Sequence, residues 1–263
     1  MSVDAIDLSI IAPAFLAGAL VLVTHVPLGA QVLKRGIVFI DLAIAQIAAL
    51  GVIIAGMADI DHGWTVQLAA GAAAVLGALL LTWTEKRWPE VQEALIGVTF
   101  VLAATGSLLL LSHNPHGGEH LRDLLAGQIL WVRYEQLIVP AIGTALIFVL
   151  IRLLRGRVGR LAFYLPFALA VTISVQLVGV YLVFASLIVP GLATRNFAEN
   201  RRVPLGYAVG IGGYAVGLAL SMVFDLPSGA LIVWCLTVLA IATYSAGPDK
   251  SPDASAATLV SLH

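Results

Sequence analysis

Long apolar runs separated by short clusters of charge, proline and glycine set the rhythm of this chain. A helix needs about 20 mostly apolar residues to cross a bilayer. Runs of that length occur at about 8–29, 36–57, 64–84, 91–112, 135–154, 203–224 and 228–246. Residues 161–194 carry no charge at all, a stretch too long for one ordinary spanning helix and short for two. This predicts a compact helix pair broken near Gly179. The expected fold class is therefore all-α: a polytopic membrane helix bundle of nine transmembrane helices, or eight if one is re-entrant. No Gly-rich linker marks a second domain, so residues 1–246 read as one transmembrane unit. The tail over 247–263, with Pro248, Ser251, Pro252 and Ser255, reads as disordered.

Composition strengthens this picture. The 263 residues are 60% hydrophobic and 11% charged, with a mean hydropathy of +1.00, which is more apolar surface than one water-soluble core can hide. Lipid must cover the excess. The net charge of −1 conceals a segregation along the chain. If the N-terminus faces outside, one membrane face receives Lys34, Arg35, Lys86, Arg87, Arg152, Arg155, Arg157, Arg160, Arg195, Arg201, Arg202 and Lys250. The other collects Asp4, Asp7, Asp59, Asp61, Glu119, Asp123, Glu135 and Asp225, with only Arg122 and Arg133 against them. Basic residues near span ends stay on the cytoplasmic side, so the N-terminus is expected outside and the tail in the cytoplasm, with no nucleic-acid partner. No Lys or Arg precedes Lys34, so the start lacks the basic region of a cleavable signal peptide and the first apolar run should remain as a helix. The single cysteine, Cys235, allows neither a disulfide framework nor a cysteine-based zinc site.

Candidate chemistry is sparse, which is itself informative. The chain has no G-x-x-x-x-G-K-[ST] phosphate loop, so an ATPase driving transport would be a separate chain. The mid-span ionisable residues are Asp41, near the start of the second helix, and His25, late in the first. A buried carboxylate costs about 2.5–3.5 kcal/mol on insertion scales unless it is paired. Asp41 is thus either functional or a first-turn acid favoured by the helix dipole. Gln46, one turn deeper, is either a ligand or interhelical glue. His25, in Val23-Thr-His-Val-Pro27, sits near an expected Pro-broken helix end, bonding a neighbouring helix or reaching the interface. Pro190-Gly191 could break its helix beside a translocation path, or only kink it.

The loop His113-Asn-Pro-His116-Gly-Gly-Glu119-His120-Leu-Arg-Asp123 concentrates imidazole and carboxylate, which suit zinc and similar metals. If a helix begins just after Pro115, His116, Glu119, His120 and Asp123 share one face. The preceding outer loop adds Asp59, Asp61 and His62. The alternative is a solvated polar loop. No Ser or Cys paired with a His suggests an embedded enzyme, so the chain is expected to be non-catalytic. An ion-coupled secondary transporter or channel acting alone is the rival class.

Four segments together resemble the metal-uptake ABC permeases, which import zinc, manganese or iron into bacteria. These are Phe39-Ile-Asp-Leu-Ala-Ile-Ala-Gln46-Ile-Ala-Ala-Leu-Gly51, Glu93-Ala-Leu-Ile-Gly97, Gly179-Val-Tyr-Leu-Val-Phe-Ala-Ser-Leu-Ile-Val-Pro190-Gly-Leu-Ala-Thr194 and Asp225-Leu-Pro-Ser-Gly229-Ala. The resemblance implies a multi-pass permease of the bacterial inner membrane. It implies a homodimer served by two ATP-binding cassette subunits and a periplasmic metal-binding protein, with no permanent cofactor and a divalent metal, zinc first, as cargo. In that family a second-helix Asp and His four residues apart face the path together. Here Gln46 holds the His position by its spacing to Gly51, and Asp41 lies five residues earlier, about 140° around the helix; a π-bulge could realign them. Otherwise the outer His116, Glu119 and His120 become the better metal ligands, with His113, Asp123, Asp59, Asp61 and His62 behind them. The short basic link with Arg155, Arg157 and Arg160 stands where the family docks its ATPase.

Overall fold

The computed structural model describes residues 8–57, 63–111, 129–154 and 160–248. Among them the chain forms nine α-helices and no strand: α1 (Leu8–Arg35), α2 (Ile40–Met57), α3 (Gly63–Arg87), α4 (Gln92–Leu111), α5 (Tyr134–Leu154), α6 (Leu161–Val178), α7 (Val180–Ala193), α8 (Glu199–Phe224) and α9 (Ser228–Ser245). Short 3₁₀ turns at Pro89–Val91 and Ile129–Trp131 lead into α4 and α5. Eight helices are long and apolar enough to cross a membrane. The exception is α7, whose 14 residues reach about 21 Å at 1.5 Å per residue, short of a ~30 Å hydrocarbon core.

The break between α6 and α7 falls at Gly179, as the uncharged stretch predicts. Its backbone adopts φ 83° and ψ 163°, a region that a side chain rarely tolerates. The peptide after it starts a new helix in a new direction. One other sequence expectation fails. The first helix does not end near Pro27 but runs on to Arg35. Proline at 27 removes the donor that would bond the Val23 carbonyl, and the Tyr207 hydroxyl of α8 donates to that carbonyl instead, at 3.0 Å. A neighbouring helix thus supplies what the proline took away, and the helix continues. Likewise α7 is unbroken at Pro190-Gly191; the Thr194 hydroxyl donates to the Pro190 carbonyl at 3.0 Å, closing the helix end.

The core is the meeting place of α1, α2, α6 and α7. In the most apolar window of α6, 67% of residues are buried, against 6% in α5, which therefore faces lipid along most of its length. The α1 helix packs on α7 and α8, α2 on α3 and α4, and α8 on α9. The α1–α7 contact depends on Gly29, because a Cβ there would stand 1.8 Å from the Leu187 carbonyl oxygen. Small residues allow such backbone approach where lipid supplies no hydrophobic drive between helices.

One end of the bundle is tied together by polar groups. Glu85 at the end of α3 meets Arg160 Nε at 3.3 Å and Arg35 Nη1 at 3.9 Å. The Arg35 guanidinium lies 4.3 Å over the Phe163 ring. The buried Gln92 amide donates to the Leu81 carbonyl at 3.1 Å and to the Tyr164 hydroxyl at 3.2 Å, joining α3, α4 and α6. Lys34 and Glu199 pair across α1 and α8. The basic residues gathered here are the ones the sequence assigns to a single membrane face.

Candidate metal path

At this same end the chain turns at Gly36 and starts α2, which places Asp41 in the first turn. Its side chain is 1% exposed, and neither carboxylate oxygen meets a hydrogen-bond donor of adequate geometry. The backbone of Asp41 and Leu42 and the carboxylate of Glu93 act on it electrostatically. Glu93 opens α4; one of its oxygens accepts the Phe39 N–H at 3.3 Å, and the other is buried without a donor. Three carboxyl oxygens on two neighbouring helix starts are therefore buried without a well-formed hydrogen bond. Burying unneutralised carboxylates is costly, and the arrangement has the character of a cation site. Sequence reasoning singles out Glu93 as part of a motif but not as Asp41's neighbour; its place in the first turn of α4 was the available signal.

Gln46 is also buried but lies elsewhere. With Leu42, Phe100, Phe184 and Trp234 it lines a groove of about 750 Å³ bounded by α2, α4, α7 and α9. Asp41 is not part of that lining; it falls on the buried stripe of α2 that includes Ile44, Ala45 and Ala48. No π-turn interrupts α2 between the two. The realignment considered from the sequence is absent, and Asp41 and Gln46 serve different faces. The positions four residues apart that share the groove are Leu42 and Gln46. The lining contains no carboxylate, imidazole or thiolate.

His25 is fully buried in α1. It bonds neither a neighbouring helix nor the interface. Its Nδ1 lies 3.0 Å from the Val21 carbonyl of its own helix and 3.0 Å from the Thr24 hydroxyl. Only an N–H can bond that carbonyl, so the neutral ring carries its proton on Nδ1. Nε2 is then a buried lone pair without a donor.

His113, His116, Glu119, His120, Asp123, Asp59, Asp61 and His62 lie outside the described residues, as do Arg155 and Arg157. Arg160 is described and engages Glu85. Among the described residues no three of His, Cys, Asp and Glu gather into a metal cluster.

The sequence matches the ABC 3 transport family over residues 7–163 and 154–246. The chain belongs to the ABC 3 transport family. It is a multi-pass membrane protein of that family. The high-affinity zinc uptake system membrane protein ZnuB of Haemophilus influenzae is 23% identical over 251 residues, covering 88% of this chain and 95% of its relative. The manganese transport system membrane protein MntC of Halalkalibacterium halodurans is 26% identical over 246 residues, covering 85% and 82%. The uncharacterized membrane protein slr2045 of Synechocystis is 25% identical over 252 residues, covering 88% of each. Among solved structures, PsaBC from Streptococcus pneumoniae, in complex with Fab, superposes with a TM-score of 0.74 at 20% identity, covering 94% of this chain and 97% of that one. An inward-facing ABC transporter described as of metal-chelate type gives 0.63 at 15% identity, covering 92% and 86%. At those identities the structures establish the fold alone, and family members named for zinc, manganese and iron lie at similar distance.

Proposed function

We propose that this chain is the membrane-spanning permease subunit of an ATP-driven importer of a divalent transition metal, with zinc the cargo to test before manganese and iron. It works as a homodimer with two separate ATP-binding cassette subunits and an external metal-binding protein, its N-terminus outside and its C-terminus in the cytoplasm of a bacterial inner membrane. The permease itself makes no covalent change. The carrying observation is the buried Asp41 carboxyl group near Glu93, without a well-formed hydrogen bond, in a chain whose relatives are named for metal transport. Metal delivered outside meets His116, Glu119 and His120, ligand types that zinc accepts, with His113, Asp123, Asp59, Asp61 and His62 nearby in sequence. Gln46 would guide it in the groove, and a movement of α2 would be needed to bring Asp41, now buried off that lining, onto the route. Few and weak ligands along such a path favour release over retention. The Arg155/Arg157/Arg160 link is the docking candidate for the ATPase, with Arg160 also anchoring α6 through Glu85.

The decisive measurement is zinc uptake into proteoliposomes with and without the ATPase partner. Uptake that requires the partner and ATP is expected. Uptake by the permease alone would replace this reading with a secondary transporter. Asp41→Asn should lower uptake by at least about tenfold, equivalent to ~1.4 kcal/mol, and the triple variant His116→Ala/Glu119→Ala/His120→Ala should raise the zinc concentration needed for half-maximal uptake.

One observation favours a second reading of the cargo. The large groove offers a bare cation only the neutral Gln46, Tyr181 and Thr237 side chains, and the Thr237 hydroxyl already donates to the Val233 carbonyl. An aromatic-lined space of this size is typical of organic ligands, so a metal wrapped in an organic chelator fits it. Competition between free and chelated zinc for uptake separates the two cargoes.

A further inference from the structure

A second cavity, of about 380 Å³, opens at the basic end of the bundle between the last turns of α1 and α7 and the first turns of α8. Its walls divide by chemistry. Val26, Ala30, Leu33, Pro190, Leu192 and Val203 make an apolar slot that runs into the span. Lys34, Arg195 and Arg202 stand at its mouth, with Glu199 the only carboxylate in the lining.

Those four charges are unevenly satisfied. Lys34 and Glu199 pair with each other, both largely exposed. Arg195 donates from Nη2 to the Tyr244 hydroxyl at 2.9 Å, and its guanidinium lies 4.9 Å from that ring. Arg202 donates from Nε to the Phe197 carbonyl at 2.9 Å. Each arginine is thus held in place by a neutral partner, and among the described residues neither meets a carboxylate within ion-pair distance. Both guanidinium groups are oriented by neutral partners and neither forms a direct ion pair among the described residues, although Arg202 acts on Glu199 at longer range; each keeps N–H groups free to form a bidentate fork on phosphate oxygens.

We propose that this cavity binds one anionic phospholipid, its head-group phosphate between Arg195 and Arg202 and an acyl chain along the Val26, Leu33 and Val203 wall. The amphipathic lining decides between possible phosphate compounds. A free phosphate ion would satisfy the mouth but leave the apolar slot unfilled, whereas a lipid fills both. Basic pockets between spanning helices at head-group depth recognise lipid phosphates by this combination of charge and depth. Because α1, α7 and α8 all contribute, a bound lipid would brace the α1–α7 contact at Gly29 against α8. The inference needs only that the bundle spans a membrane and is independent of which cargo it carries.

Native mass spectrometry of the full-length chain, released from mixed detergent and lipid, is the test. Phosphatidylglycerol should be retained in a one-to-one ratio and phosphatidylcholine washed away. Arg195→Gln/Arg202→Gln should lower phosphatidylglycerol affinity by about tenfold or more. Glu199→Gln removes the only acidic competitor at an exposed position, so it should tighten binding several-fold without threatening the fold. The proposal is overturned if both lipids are retained equally, if the arginine variant binds phosphatidylglycerol as well as the wild type, or if Glu199→Gln weakens binding. It is also overturned if inorganic phosphate raises the thermal midpoint as much as phosphatidylglycerol does, since that would mark an anion site without a lipid.

Discussion

Asp41 illustrates how far a single residue can be read before folding. The sequence places a carboxylate in an apolar run and makes its burial costly, but two explanations remain, a solvated first-turn acid or a functional group. The structure buries the side chain without a well-formed hydrogen bond yet keeps it in the first turn of α2, beside the Leu42 backbone, so both readings stand until transport is measured. Glu93, which acts on it electrostatically, comes from another helix, 52 positions away in a chain whose local spacing cannot reveal that proximity. A site that holds a cation intermittently is expected to cost stability when empty. Asp41→Asn should therefore raise the thermal midpoint of the detergent-solubilised, metal-free protein, by up to about 2–3 kcal/mol of unfolding free energy, while transport falls. A variant that is less stable and transports normally would mean that the carboxylate has a structural role only. Gln46 shows the opposite lesson. Its spacing to Gly51 is readable, but the groove it faces is assembled from α4, α7 and α9 as well.

At the scale of elements, hydropathy carries most of the information. Seven spans and the α6–α7 pair with its break at Gly179 are present where the apolar runs and the uncharged stretch put them. The clear miss is at a proline. Its local rule says that a helix loses a hydrogen bond and bends or stops, yet α1 passes Pro27 because Tyr207 reaches across from α8. Tyr207→Phe should cost about 0.6–2 kcal/mol, the range for interhelical hydrogen bonds in membranes. In a Pro27→Ala background the restored amide can bond Val23 itself, and the same tyrosine change should cost much less. Thermal melts of the two single variants and the double variant give the coupling energy; additive effects would remove Tyr207 from this role. No periodicity in α1 alone points to a tyrosine 180 positions later.

For the whole molecule, burial is uneven: 67% of the most apolar window of α6 is covered, against 17% in α4 and α9 and 6% in α5. Most of α5 is exposed and apolar, although its first turns share a cavity of about 600 Å³ with Trp64 and Trp131, whereas the α2–α4–α7–α9 groove is concave and partly aromatic over several helices. In the proposed homodimer the groove faces a second copy. In a Cys235→Ser background, Trp234→Cys should form disulfide-linked dimers in native membranes and Leu146→Cys on α5 should not. Cross-linking through Leu146 in preference to Trp234 would move the interface to α5. What the amino-acid order determined by itself is the class of the fold, the approximate positions of the apolar spans and the segregation of basic charge, because transfer into lipid is paid residue by residue and is local in sequence. What only the tertiary structure decided is which polar groups come together: Glu93 with the Phe39 N–H near Asp41, Tyr207 with Val23, Arg195 and Arg202 around one cavity. Those encounters depend on how rigid helices pack sideways, and the sideways neighbours of a helix are not adjacent in the chain.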